Sequence, residues 1–413
     1  MNDGSLSTTA PNPRAAFFYR DFRYYVGARF LGIGAHSMLA VVVGQYVYEL
    51  THSALHLGYI GLAFFVPKIL FTLWAGHAAD RYDRWKIVLA CRLAQTITVG
   101  GIALFAFSGS GNLWILYALL FLTGMAYTFD GPASHAILPA LVKAEHFSNA
   151  VTWNSWAFQL AVISGPALGG WLYAATGRAT EAFCATALAR AGSLALIGFM
   201  KIRTGRLNEQ EFSWDSLLAG IRYIFKERVI LGIISLDLFA VLLGGAVALL
   251  PIYANDILHV GPTGLGILRA APAVGASLVA IALAYLPPLK QAGKTMLWCV
   301  VLFGLSTLIF GLSTHFYLSL AALVVLGASD MVSVIIRAVL VQVRTPPEMR
   351  GRVSAVNLIF IGASNELGEF ESGVTANWFG VVPSVIVGGL GTLAVVGIWA
   401  WGFPEIRKYT KLN

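Results

Sequence analysis

Charge is what this chain has least of. Only 12% of its 413 residues are Asp, Glu, Lys or Arg, against 57% hydrophobic, and the mean hydropathy is +0.73. That is too little polar surface to cover a water-soluble globule of this length, so a soluble enzyme or binding module is excluded and the chain belongs in a bilayer. Cysteine is nearly absent. The three present, Cys91, Cys184 and Cys299, each fall inside an apolar run, with neither metal spacing nor a disulfide framework, and read as small core residues. There is no GxxxxGK[ST] phosphate loop, no HExxH and no cluster of Cys and His ligands; no nucleotide or metal site, no cofactor and no enzymatic activity are expected. The net charge of +8 has no basic soluble domain behind it, which removes a nucleic-acid partner. The first sixteen residues are polar, contain Pro11 and Pro13, and lack the apolar stretch of a cleavable signal, so a retained, disordered N-terminal tail is expected.

What the chain does have is long apolar runs. A bilayer core of ~30 Å needs about 20 residues per helix, and twelve runs qualify, at roughly 24–48, 57–76, 86–108, 112–131, 150–174, 181–200, 229–253, 262–286, 295–312, 316–337, 353–379 and 382–403. An even count puts both termini on one side. All but Arg178, Lys68, Arg190 and Arg269 of the 28 Lys and Arg lie in or near segments on that side, among them Lys143, Lys201, Arg206, Lys226, Arg350 and Arg407, which makes it the cytoplasmic one by the positive-inside rule. The expected organisation is an N-terminal tail (1–20), a six-helix bundle (21–200), a charged central loop (201–228), a second six-helix bundle (229–404) and a short cytoplasmic tail (405–413). Within the loop, WDSLLAGIRYIF has helical spacing and is expected to lie along the inner membrane surface. A weak repeat, at the offset that takes Gly124 to Gly327, also pairs Glu145 with Glu348, Asn154 with Asn357, Gly165 with Gly368 and Gly170 with Gly373. Two copies in one orientation imply a pseudo-two-fold axis along the membrane normal.

Between the second and third runs stands GHAADRYDRWK, Gly76 to Lys86. Gly76 is expected to let helices 2 and 3 approach around a tight turn, while Asp80, Arg81 and Arg84 sit at the membrane surface, where partly desolvated ion pairs latch one state. This segment resembles the loop between helices 2 and 3 of the major facilitator superfamily. The resemblance implies an all-α membrane protein of twelve transmembrane helices in two pseudo-symmetric bundles, with the acid facing the start of helix 11, near Val353, and with one of the arginines meeting an acid at the inner end of helix 4, for which Asp130 in FDGPA is placed. Topology anchoring by positive charge explains the arginines but neither Gly76 nor Asp80. Helix 5 carries AVISGPALGG, where Gly165, Pro166, Gly169 and Gly170 create a bend and a close-packing seam; it resembles the motif of facilitator exporters and favours export, the alternative being a packing seam with no bearing on direction.

Helix 11 carries SNELGEFESG, with Glu366, Glu369 and Glu371 near mid-membrane. A charge there costs at least ~2.5 kcal/mol, so these acids face protein or a water-filled cavity. Glu366 and Glu369 share a face and Glu371 points nearly opposite. Either the pair carries protons or touches substrate, or it is fixed in structural ion pairs with Arg269, Arg190 or Lys68. Asp237 and Asp330 fall on helices 7 and 10, which the resemblance makes cavity-lining, with Arg337 a possible partner for Asp330; Arg190, on a peripheral helix, reads as structural. His36 is a further titratable group. Gln45, Tyr46, Tyr127, Phe129, Trp153, Asn154 and Trp156 could wall a site for an amphiphilic solute or serve packing, and Gly27, Gly32 and Gly34 read as packing.

FRYYVGARF, GHAADRYDRWK, FDGPA, GPALGG and TPPEMRGRV together resemble the exporter branch that contains siderophore exporters and macrolide efflux proteins. The resemblance implies a monomeric, proton-coupled exporter of the inner membrane for a siderophore or drug, with protons, a small-molecule substrate and the lipid bilayer as its partners. SNELGEFESG is more acidic than that branch leads one to expect. Divalent-metal efflux on the helix 11 acids and a non-transporting receptor or scaffold are the alternatives.

Overall fold

The computed structural model describes residues 12–202, 214–286, 291–346 and 349–408. Most of the expected tail (1–11), Arg206 in the central loop, Glu348 of the repeat, and the last residues (409–413) lie outside the described residues. Every described element is helical, as a bilayer demands: without water to take up free N–H and C=O groups, the backbone must satisfy itself within each segment.

Twelve long helices follow in order: α1 (Arg20–Thr51), α2 (Ala54–Arg81), α3 (Arg84–Ser108), α4 (Leu113–Ile137), α5 (Phe147–Thr176), α6 (Ala179–Gly198), α7 (Arg228–Ile257), α8 (Gly261–Tyr285), α9 (Ala292–Leu312), α10 (Phe316–Arg344), α11 (Arg350–Phe379) and α12 (Val381–Gly402). Ten are long and apolar enough to cross a membrane. The exceptions, α5 and α11, are 30 residues each and long enough to span, but are diluted by polar residues such as Asn154 and Gln159 in α5 and Asn365, Glu366 and Glu369 in α11. Both lie among the spans, α5 against α1 and α8, α11 against α2 and α7. Trp74, Leu104, Phe107, Trp298 and Trp401 are more than 60% exposed around the periphery, an apolar surface that only lipid would cover. The chain is a multi-pass membrane protein.

Local sequence explains the ends. The carboxylate of Asp83 accepts from Trp85 N (3.0 Å) to start α3, and Asn112 accepts from Trp114 N (3.2 Å) to start α4, each taking up an otherwise unpaired amide of the first turn. Gly109 and Gly177 close α3 and α5 with φ of 63° and 67°, the left-handed conformation that glycine adopts without strain.

Helices α1 to α6 pack among themselves, as do α7 to α12, and the two groups meet along α2 with α11, α5 with α8 and α1 with α7. We call the end where α1 begins the basic end and the other the far end. At the far end these contacts are made by small residues. A Cβ on Gly373 would lie 2.6 Å from Gly58 Cα, and one on Gly266 would lie 2.5 Å from the Pro166 carbonyl oxygen and 3.1 Å from Gly170 Cα. Only glycine permits backbones this close.

The helix Trp214–Lys226 packs in part on protein: Ile224 is buried with Ile230, Val341, Val353 and Val356 in the second group's core, while Phe225 beside it is exposed. Tyr223 Oη donates to the Arg344 carbonyl (2.9 Å), and a Cβ on Gly220 would stand 3.0 Å from the Arg352 carbonyl oxygen. The linking segment is docked on the basic ends of α10 and α11.

Candidate functional site

A cavity of about 150 Å³ lies between the two groups of helices, walled by His36 and Leu39 of α1, Phe64 and Lys68 of α2, Tyr127 of α4, Pro251 of α7, Arg269 of α8 and Glu366 and Glu369 of α11. One wall is aromatic. The His36 ring stacks on Tyr127 at 4.4 Å and meets Phe64 edge-on at 5.7 Å, geometries aromatic pairs favour. His36 Nδ1 is buried without a hydrogen-bond partner.

The opposite wall is ionic. Lys68 is ion-paired with Glu366, joining α2 to α11 across the two groups. Arg269 Nη2 pairs with Glu369 Oε1 at 3.1 Å, and its Nη1 donates to the Val247 carbonyl at 3.3 Å. That carbonyl is available because α7 is irregular after Leu243, with a 3-10 turn at Ala246–Leu249 and a π turn at Tyr253–Ile257. The acid-bearing turn of α11 reaches this wall because α2 presents Gly61: a Cβ there would lie 2.7 Å from the Glu366 carbonyl oxygen and 2.8 Å from Glu369 Cβ. Gly58 and Gly61 were not singled out in the sequence, and their spacing of three residues is not the small–x–x–x–small signal of such contacts. Both acids are held in pairs, with partners among those the sequence offered, and these side chains keep 21–26% exposure, the exposure of groups that face a cavity. Glu371 does not line this cavity; among the described residues its carboxylate accepts from Ser372 Oγ at 3.5 Å.

The aspartates expected in this cavity are not there. Asp237 is buried in an ion pair with Arg337, and with Ser329, Asp330 and Ser333 it lines a separate space of about 10 Å³ inside the second group, room for a single water. Arg337 therefore pairs with Asp237 on a neighbouring helix and not with Asp330 on its own. Of the expected wall residues, Tyr127 lines the cavity, Tyr46 packs on Phe105 and Phe183 in the core, Trp153 Nε1 donates to the Pro13 carbonyl and Trp156 is 48% exposed at the periphery.

The far end is closed by hydrogen bonds between α1 and α7. Gln45 and Asn255 exchange amide bonds (2.9 and 3.2 Å), and Tyr48 Oη donates to Asp256. Glu49 braces this lock, accepting from Gln45 (2.9 Å) and from Tyr173 of α5 (2.5 Å). The π turn aims Asn255 and Asp256 at α1, a use of π geometry seen at functional sites. Gly165 and Gly169 seat α5 on α1, where a Cβ would lie 2.5 Å from the Gly34 carbonyl oxygen and 2.9 Å from Met38 Cγ, while Pro166 and Gly170 face α8.

The basic end carries the loop between α2 and α3. Asp80 and Arg81 are exposed, and among the described residues neither forms an ion pair or hydrogen bond with α11. Gly76 stands inside α2 with nothing within 4 Å of a Cβ built on it, so the turn between α2 and α3 is made at Tyr82 and Asp83, and Gly76 is not what brings the two helices together. Arg84 ties the end of α2 to that of α4, donating to the Ala79 and Ala136 carbonyls, both at 3.0 Å. The arginine that meets Asp130 is Arg92, a turn or more into α3, at 2.8 Å, with both side chains buried.

Two helical bundles meeting around a central cavity, closed at one end by hydrogen bonds and glycine seams and lined by ion pairs, define a membrane transporter. Residues 15–408 match the family described as transmembrane secretion effector, and the chain belongs to that family, within the major facilitator superfamily. It is similar to the enterobactin exporter EntS of Citrobacter koseri, 28% identical over 98% of this chain and 95% of that protein, and to that of Escherichia coli O1:K1, 26% identical over the same shares. Its fold is similar to the crystal structures of the nucleoside transporter NupG, with TM-score 0.71, 15% identity and coverage of 94% of this chain and 100% of that one, and of a bacterial homologue of the human lysosomal transporter Spinster, with TM-score 0.72, 12% identity and coverage of 94% and 98%.

Proposed function

We propose that the chain is a monomeric secondary exporter of the cytoplasmic membrane, with both termini in the cytoplasm, that moves a siderophore-like amphiphilic solute outward in exchange for protons by alternating access. The observation that carries this reading is the Lys68–Glu366 pair: it spans the two bundles in the cavity wall. Rocking the bundles apart at the far end separates α2 from α11 and parts the two charges. An unpaired carboxylate at that depth is expensive, and a proton neutralises it. The cavity volume argues in the same direction, since about 150 Å³ falls below the ~300 Å³ of the smallest usual ligand sites; loading a solute requires the wall to open.

Charge decides the direction of coupling. A solute that offers hydroxyl or amine donors is received by charged Glu366 and Glu369, so solute and proton occupy the carboxylates alternately, which is the condition for exchange in opposite directions. A purely anionic solute would instead bind Lys68 and Arg269 while protons held the acids, and would travel with the proton. The exporter relatives, with enterobactin in their names, support a donor-bearing aromatic solute, which the His36–Tyr127–Phe64 wall suits. The Gly165–Gly170 seam and the exposed Asp80 loop fit a gate at each end.

The test is flux in proteoliposomes holding the purified full chain and a pH-sensitive dye. An imposed pH gradient is expected to drive uptake of an aryl siderophore into inside-out vesicles with protons leaving. Movement of divalent metal with no movement of any organic solute would overturn the reading.

A further inference from the structure

Glycine inside a helix is destabilising relative to alanine, and Gly362 of α11 is not one of the glycines that let two backbones meet. A Cβ on Gly58, Gly266 or Gly373 would strike backbone atoms of the facing helix. A Cβ on Gly362 would lie 2.7 Å from Lys68 Cδ, 2.9 Å from its Cε and 2.7 Å from its Nζ, so that its three nearest neighbours all belong to one side chain. The lysine passes directly over this residue.

The path is forced by where the two helices touch. Gly58 meets Gly373 and Gly61 meets Glu366, so α2 and α11 run in opposite directions. Lys68 stands seven residues beyond Gly61, about 10 Å along α2, and Gly362 stands one turn before Glu366 on the same face of α11. To reach the carboxylate the lysine lies along α11 with Gly362 beneath it. Its Nζ is the one side-chain partner of Glu366 among the described residues: it bonds Oε1, and Oε2 is buried without a partner. The other cation of the cavity, Arg269, is taken by Glu369 and the Val247 carbonyl. Nothing stands ready to replace a displaced Lys68.

We propose that Gly362 is a positioning residue that seats Lys68 on Glu366, and that any side chain at 362 pushes the cation away and leaves the carboxylate unpaired. The obstacle to a new methyl group is the mobile end of a lysine and not backbone, so alanine moves the lysine and leaves the helices where they are. The consequence for proton exchange rests on the coupling reading above; the seating does not.

The experiment is infrared spectroscopy of the purified full chain at neutral pH, reading the C=O stretch of protonated carboxyl groups, with the Glu366 band assigned by its loss on adding Glu366→Gln. Gly362→Ala is expected to raise that band about tenfold, because losing an adjacent cation favours the protonated form by at least that factor. Lys68→Ala should raise it equally. Adding Gly362→Ala to Lys68→Ala should change nothing further, since no long side chain is left for the methyl to strike. In transport, Gly362→Ala should lose accumulation driven by a pH gradient and keep exchange; a grown band with accumulation intact would refute the coupling reading and leave the seat standing. A glycine needed only for packing would leave the band unchanged. That result in Gly362→Ala, or a further rise on combining it with Lys68→Ala, would overturn the proposal.

Discussion

Gly170→Ala adds one methyl group at the far-end contact of α5 with α8. Its Cβ would lie 2.3 Å from the Pro262 carbonyl oxygen, 2.9 Å from Gly266 Cα and 3.0 Å from Gly266 N. All three are backbone atoms, so no rotamer change relieves them; restoring an ordinary contact of ~3.4 Å means moving the helices about 1 Å apart, and overpacking of this kind costs ~1–3 kcal/mol. Because the methyl is on one bundle and its obstacles on the other, the cost falls on states closed at the far end and disappears when that end opens. The equilibrium is expected to move toward far-end-open states by roughly 5- to 150-fold. Electron paramagnetic resonance distances between spin labels at Arg178 and Thr314, exposed far-end positions on opposite bundles, read this directly in a background without Cys91, Cys184 and Cys299. The long-distance population should grow in Gly170→Ala and stay put in Gly100→Ala, where a Cβ meets nothing within 4 Å. An unchanged distribution in Gly170→Ala would refute the idea that this seam sets the closed state.

Three further outcomes are expected. Glu366→Gln, which cannot hold the charge that Lys68 faces, should abolish accumulation driven by a pH gradient while exchange of labelled for unlabelled solute persists; undiminished accumulation in Glu366→Gln, Glu369→Gln and the double variant would remove these acids from coupling. Asp80→Asn should leave insertion and yield near normal but slow net transport strongly, since the exposed carboxylate is free to meet the start of α11 only when the basic end closes; full transport would reduce the loop to a topology anchor. Arg337→Met strands Asp237 as a buried uncompensated charge, a loss of ~3–5 kcal/mol that should show as a much lower melting midpoint, whereas Arg337→Met with Asp237→Leu should recover most of it, and equal midpoints for the two would disprove the pairing.

The helices were legible because apolar runs of bilayer length have few other readings, and the acids of α11 stood out because charge is scarce around them. Pairings between helices were not legible. Asp130 was expected to meet one of the arginines, and helix rotation together with the long reach of arginine chose Arg92; Arg337 lies two turns from Asp330 on one helix, yet faces Asp237 across to α7. Gly76 fell in a motif and proved to have open space around it, whereas Gly58 and Gly61, in no motif, let α11 approach. Hydropathy could not tell that Ile224 of the linking helix rests on protein, because lipid and a bundle's core present the same solvent to it.

Helix α11 is gripped at three heights: by the linking helix at Arg352, by Lys68 and Arg269 at mid-depth, and by Gly58 at the far end. In the rocking motion proposed above, α11 acts as a lever with the linking helix as its handle. A nanobody or small molecule that seizes Trp214–Lys226 would hold that lever without entering the solute's path. Its kinetic mark would be non-competitive inhibition, with the maximal rate lowered and the half-saturating solute concentration unchanged, and its selectivity would come from a surface that the solute never touches.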